Sequence, residues 1–286
     1  MLNACPYQFI DIHYHANPDL FDRRYTALEA GKLYQQLDGA VYLKSHLGAT
    51  SIQASLAQSL GLPVFPSVVL NKIAGGIDYR VIIKALAEYT GKMNLKMIVH
   101  FPTITGRKYI SKLNRKVTHP QYEQTCHAPE TLFDENKKLK PAVIEILKLA
   151  ADYPIVLSSG HASKEEVFAL IDNCQKYKVN ALLLNQPANP LTGLSANELH
   201  AVAKNDFIWV EQTLLTLLLG HQIQEDFIEV ITNIPRVIYS SDLGQTSQMT
   251  IAQWWNFTNQ FFDEIKLTKA RRKSICLDNP LKLLEI

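Results

Sequence analysis

Cysteine is scarce, and no two cysteines are close together. Cys5, Cys126, Cys174 and Cys276 form no CxxC pair, which excludes a zinc ribbon or a CxxC redox motif. A reduced, intracellular setting is the simplest reading of that spacing. Long apolar runs are also missing. The longest, such as LLTLLLG at 214–220, are far too short to cross a bilayer. The first residues, MLNACPYQFIDIH, lack a basic region followed by an apolar stretch, so no signal peptide is expected and the expected location is the cytoplasm. Charge of one sign is lacking too. A formal net charge of +2 gives no electrostatic basis for a nucleic-acid partner. No GxGxxG follows the first β-rich run, so a dinucleotide site is not supported.

What the chain does have is a core-forming composition, 47% hydrophobic and 20% charged, and a regular alternation of β-rich and helical segments. The β-rich runs are FIDIHYH (9–15), GAVYLKSH (39–46), PVFPSVVLN (63–71), KMIVHFPT (96–103), PIVLSSGH (154–161), ALLLNQP (181–187), FIWVEQ (207–212) and RVIYSSD (236–242). Between them, segments such as TALEAGKLYQQL, PAVIEILKLAADY and KEEVFALIDNCQKY repeat apolar residues every three or four positions. This alternation over about 250 residues predicts an α/β fold of the (β/α)8 TIM-barrel type, as one domain over 1–286. A doubly wound open sheet is the structural rival. The connection at 104–140 is long, polar and charged. In a barrel it would leave the C-terminal end of the fourth strand, the face that carries active sites.

The nine histidines are unevenly placed. His13, His15, His46, His100 and His161 fall at the ends of predicted strands, with Glu211 ending the seventh and Asp242 the eighth. His119, His127, His200 and His221 fall in the long loop or on helices. Residues two apart share one face of a strand, so Asp11, His13 and His15 are expected to line one side. Buried polar side chains in such a row need a partner, and a cation is one. Imidazole with carboxylate suits Zn, Mn, Fe or Ni rather than Ca or Mg. A strand-end histidine taken alone is more often a hydrogen-bonded core residue, and Asp242 alone could cap the following helix. The HxH pair shifts that balance towards ligation.

HYH, SGH and SSD in this order resemble the amidohydrolase superfamily, as does the closing DNPLKLLEI. A closer resemblance, through PDLFDRRYTALE, LKSHLGAT, SGHAS, NPLTGLS and SDLGQ, is to an uncharacterised amidohydrolase-like bacterial family. The resemblance implies a barrel that holds one divalent transition metal, zinc first and Mn, Fe or Ni as alternatives, through His13, His15, His161 and Asp242. It implies Asp242 and His161 as catalytic groups, with Gln186 orienting substrate or completing the shell. The strand ends and the loop after the first strand add Lys44 as a further catalytic candidate, and Arg23, Arg24, His46, His100 and Glu211 around a small-molecule substrate; Arg23 and Arg24 could clamp a carboxylate or phosphate, or be a solvated surface pair. The implied activity is hydrolysis of a C–N, C–O or lactone-like bond. Two departures bear on it. HFPT on strand four offers neither Lys nor Glu to bridge two metals, and Gln186 stands where the pattern places a histidine. Decarboxylation at the same site, or an inactive ligand-binding barrel, are the alternatives. No membrane partner is expected. The aromatic stretch QWWNFTNQFF (Trp254, Trp255, Phe257, Phe261, Phe262) is either a contact in a homo-oligomer or a helix packed onto the barrel.

Overall fold

In the computed structural model, residues 5–285 are described apart from 93–94, 109–112 and 114. The outermost ends of the expected domain and part of the long loop therefore lie outside the described residues. Among the described residues nine strands form: β1 Phe9–Tyr14, β2 Gly39–Leu43, β3 Val64–Phe65, β4 Ser67–Val69, β5 Met97–His100, β6 Ile155–Ser158, β7 Leu182–Leu184, β8 Ile208–Thr213 and β9 Val237–Ser240. All strand pairs are parallel. The third predicted run is two strands because Pro66 has no N–H to donate and interrupts the ladder there. The result is a sheet in the order β1-β2-β3 and another in the order β4 through β9.

The two outer edges, β9 and β1, meet without a continuous ladder. His15 N donates to Leu243 O at 2.9 Å and Asp242 N donates to His13 O at 2.9 Å. A single bridge, Tyr14 with Leu243, lies at the same point. The seam is therefore stitched at its C-terminal end, beside the HxH pair.

Helices follow the strands, and local chemistry starts several of them. Thr26 with Glu29, Ser163 with Glu166, Ser195 with Glu198 and Thr250 with Gln253 form reciprocal capping boxes. The stretch before the last strand divides into Leu214–Leu218 and Gln224–Asn233. Gly220 lies between the two helices with φ +66°. The aromatic segment lies on the helix Ile251–Glu264. Trp254, Phe261 and Phe262 are buried there, and Trp255 stacks on Phe9 with ring centroids 3.8 Å apart. These rings cover the outside of the barrel.

Inside the barrel, Ile10, Ile12, Ala40, Tyr42, Phe65, Ile98, Val156, Leu183, Trp209 and Ile238 pack together, closed below by Leu283 and Leu284. The alternation on β1 corrects one expectation. Asp11 pairs with Val41, yet Tyr14 pairs with Leu43, so β1 carries one extra residue. This bulge flips the parity. Ile10 and Ile12 face inward, Asp11 faces outward, and His13 faces inward again. Asp11 is thus not beside the histidines. Its carboxylate accepts from Tyr34 Oη on the helix Ala27–Gln36 and, at 3.1 Å each, from the backbone N–H groups of His13 and Ser241. Those amides are the ones freed at the bulge and the seam. Burial pushes the Asp11 carboxyl up to about 6 despite these hydrogen bonds.

The 104–140 connection is not featureless. It holds the turns Pro120–Tyr122 and Glu123–Cys126. Val117 bridges to Phe21, and Arg107 pairs with the buried Glu166 at 2.6 Å. The connection is anchored to the barrel at both points.

Candidate metal centre

Most of the functional side chains lie just past the last regular residue of a strand, where the backbone can turn them over the barrel mouth. His13 Nε2 lies 3.1 Å and His15 Nε2 3.4 Å from Asp242 Oδ1. Ligand atoms of these three residues all lie within 4.8 Å of one another. Both imidazoles are backed by a carboxylate. His13 Nδ1 is 2.9 Å from Glu211 Oε1, and His15 Nδ1 is 3.5 Å from Asp19 Oδ2. The Glu211 carboxylate bonded to His13 Nδ1 fixes that ring and leaves its Nε2 free for an ion, whereas His15 Nδ1 faces Asp19 without a hydrogen bond. The donor set, two imidazoles and a carboxylate in a buried pocket, fits a divalent transition metal.

Backbone conformation contributes to this geometry. Gln186 and Asp242 adopt left-handed φ values of +44° and +53°. Non-glycine residues in that region are strained, and such strain gathers at functional sites. Gln186 donates from Nε2 to Asp242 Oδ2 and from its backbone N–H to Glu211 Oε2 at 3.2 Å. It therefore occupies the position of the expected strand-six histidine as a holder of the aspartate. Gly160 turns the chain before His161 with φ +57°, and a Cβ there would lie 2.0 Å from the Phe101 carbonyl oxygen. Only glycine fits that turn.

The charges are set by the same contacts. Burial and the Lys44 ammonium oppose a charge on His13, but Asp242 and Glu211 outweigh them and raise it to about 9. Burial would raise Asp242, yet the two histidines hold it well below the usual carboxylate range. Burial lowers Lys44 to about 8, against the pull of Glu211, Asp242 and Asp19. Lys44 Nζ donates to Asn185 Oδ1 at 2.5 Å.

A second group of donors, His15, Asp19 and His46, also falls within 4.8 Å. Its cationic partner is already in place. Arg23 donates to Asp19 Oδ2 from Nε at 2.8 Å and from Nη2 at 2.5 Å. Asp19 Oδ1 accepts from Ser45 Oγ at 3.0 Å and from His46 N at 2.7 Å. This group is a hydrogen-bonded support behind His15.

The cavity over the cluster is lined by His13, His15, Arg23, Lys44, His46, Arg115, His161, Gln186 and Asp242, among others. Its free space is about 30 Å³, room for one or two waters. A ligand must therefore be small, and wall side chains must shift as it enters. His161 lies on this wall but outside both donor groups. Three expected substrate contacts lie off the cavity. Arg24 donates to the backbone carbonyls of Thr246 and Gln248, tying down the loop after β9. His100 is buried below with Nδ1 2.8 Å from Ser158 Oγ. Glu211 stands behind His13 rather than facing a substrate. Sequence reasoning missed Asp19 and Arg115. Asp19 lies four residues past His15, and that spacing was its only signal. Arg115 lies in an aperiodic loop and gave none.

The neutral histidines set an acid limit. Burial and, for His100, the nearby Lys44 hold His100 well below 6.5, and burial holds His46 at about 3. Below pH 6.5 the unfolded chain takes up protons that the folded chain does not, so stability falls as pH falls. Each group removes about 1.4 kcal/mol per pH unit there. Asp11, raised to about 6, opposes this by one proton down to about pH 4. Urea unfolding of metal-free protein is expected to show lower stability at pH 5 than at pH 7, with a flatter dependence in His100→Asn. An unchanged slope in that variant would contradict the assignment.

Solved structures agree with the fold. An amidohydrolase from Burkholderia multivorans matches at TM-score 0.52 and 11% identity, over 96% of this chain and 98% of that one. An uncharacterised TIM-barrel protein from Bordetella bronchiseptica matches at 0.54 and 12%, over 96% and 98%. A dihydroorotase matches at 0.56 and 13%, over 97% of this chain and 69% of that one. The fold is thus a (β/α)8 barrel. No curated protein sequence matches. The chain belongs to DUF6282, a family of unknown function whose model matches residues 8–211. Among the described residues, no helix is long and apolar enough to cross a membrane.

Proposed function

We propose that this protein is a metal-dependent hydrolase that cuts a C–N, C–O or lactone-like bond in a small molecule. The observation that carries the reading is the convergence of two carboxylate-backed imidazoles on the Asp242 carboxylate. His13, His15 and Asp242 would hold the ion, with zinc the first choice for this donor set. A bound divalent cation supplies Lewis-acid activation of water near neutral pH.

The chain's own residues supply the rest. Asp242, held as a carboxylate and fixed by the Gln186 amide, is the base that takes a proton and returns it to the leaving group. Lys44 on the cavity wall stabilises negative charge developing on a substrate oxygen. His161, on the cavity wall and kept uncharged mainly by burial, would hydrogen-bond the scissile carbonyl.

The test is a panel of small amides, lactams, esters and lactones with Zn-, Mn- and Fe-loaded protein. Asp242→Asn is expected to lower kcat by about a thousandfold or more on any substrate found, within the range for a lost acid–base group. Equal rates in the variant, or release of carbon dioxide without a hydrolysis product, would contradict the reading.

A further inference from the structure

Besides His13, which is held between Glu211 and Asp242, the charged side chains on the cavity wall are Arg23, Lys44 and Arg115 against Asp242. The three cations are not equivalent. Arg23 is engaged with Asp19, and Lys44 with Asn185. Arg115 has no carboxylate partner among the described residues. Its Nε is buried without a hydrogen-bond partner. Its guanidinium lies over the Phe21 ring, 5.3 Å from the centroid. We propose that Arg115 is the anion receptor of this site, and that the substrate carries a carboxylate which its guanidinium binds. The proposal rests on the hydrolase reading for what happens at the other end of the substrate.

Three physical points support it. A buried guanidinium N–H without an acceptor is costly, and a planar carboxylate offers two oxygens to the guanidinium fork. A cationic wall in a poorly solvated cavity favours an anion, and the small free volume favours a carboxylate over bulkier anions. The position of Arg115 is also anchored. Asp22 N donates to Lys116 O at 2.9 Å, and Thr118 N donates to Leu20 O at 3.0 Å. Thr118 Oγ1 donates to Asp19 O at 3.0 Å. The residues that follow Arg115 are thus bonded to the segment that carries Asp19, the support of His15. The Phe21 ring holds the guanidinium plane without using its donors. An Arg-to-Lys change would lose both the fork and the stacking.

Calorimetric titration tests this with malonate, succinate and glutarate, each paired with its neutral diamide. Metal-stripped protein is used so that chelation cannot mimic binding, and metal-loaded protein is measured in parallel. At least one dicarboxylate is expected to bind the stripped wild type at least tenfold more tightly than its diamide. Arg115→Gln is expected to lose tenfold or more of that affinity, and Arg115→Lys a smaller part. Metal content and Tm should match wild type in both variants. Wild-type dicarboxylate affinity in Arg115→Gln, or no preference for dicarboxylate over diamide, overturns the proposal. Arg115-dependent binding in a protein that takes up no metal would uphold the receptor and sink the hydrolase reading alone.

Discussion

Glu211→Ala is expected to cost about 3–5 kcal/mol of folding stability, the range for breaking a buried charged pair from one side. Glu211 is 1% exposed and has three direct partners. It accepts from Ser240 Oγ at 2.8 Å, from the Gln186 backbone N–H at 3.2 Å, and lies 2.9 Å from His13 Nδ1. It also supports the charge on buried Lys44. Alanine removes every acceptor at once and leaves the donors without water to replace them. Lys44 and His13 would then carry charge with less compensation, or give it up. Glu211→Gln keeps the shape and one acceptor, so its cost should be smaller. Urea unfolding of metal-stripped protein measures both, since bound metal would add stability of its own. A Glu211→Ala loss below about 1 kcal/mol would mean that this carboxylate is not the hub described.

His13→Ala is the second large effect. Removing a partner that merely orients a metal-ligating histidine typically costs about 10–100-fold in metal affinity. His13 is itself a donor, and its loss also frees Glu211 and Asp242 of the imidazole between them. The expected loss exceeds a hundredfold, read by titrating Zn into chelator-stripped protein. His46→Ala is the control, because His46 faces Asp19 and not Asp242. The fall there should be clearly smaller. Equal losses in the two variants would place the ion in the Asp19 group instead.

Much of the fold was legible because burial inside and outside a parallel barrel leaves short apolar strands between amphipathic helices. All eight predicted runs contain strand, and the helical segments between them contain helix. The pair His13 and His15 was legible for a local reason, the period of two. The same rule misplaced Asp11. A bulge inserts a residue without any signature in a run as uniform as FIDIHYH, so parity could not be read past Ile12.

Arginine roles were the least legible part. Arg23, Arg24 and Arg115 are equally basic on paper, and their roles differ by what folding brings to each. Arg23 meets Asp19 beside the Phe21 ring, Arg24 meets the carbonyls of a loop more than two hundred residues away in sequence, and Arg115 meets the Phe21 ring with no carboxylate partner among the described residues. Gln186 was legible as a departure from the resemblance, but not as the residue that grips Asp242. That contact depends on the backbone turn at each of the two residues. Pro66, by contrast, was visible in the sequence, and the strand break it causes follows from its missing donor alone.

Anomalous diffraction from crystals soaked in a zinc or manganese salt tests the metal centre most directly. The predicted result is one strong peak within about 2.0–2.3 Å of His13 Nε2, His15 Nε2 and an Asp242 carboxylate oxygen. A well-ordered site with no peak there, or a sole peak between Asp19 and His46, would contradict it.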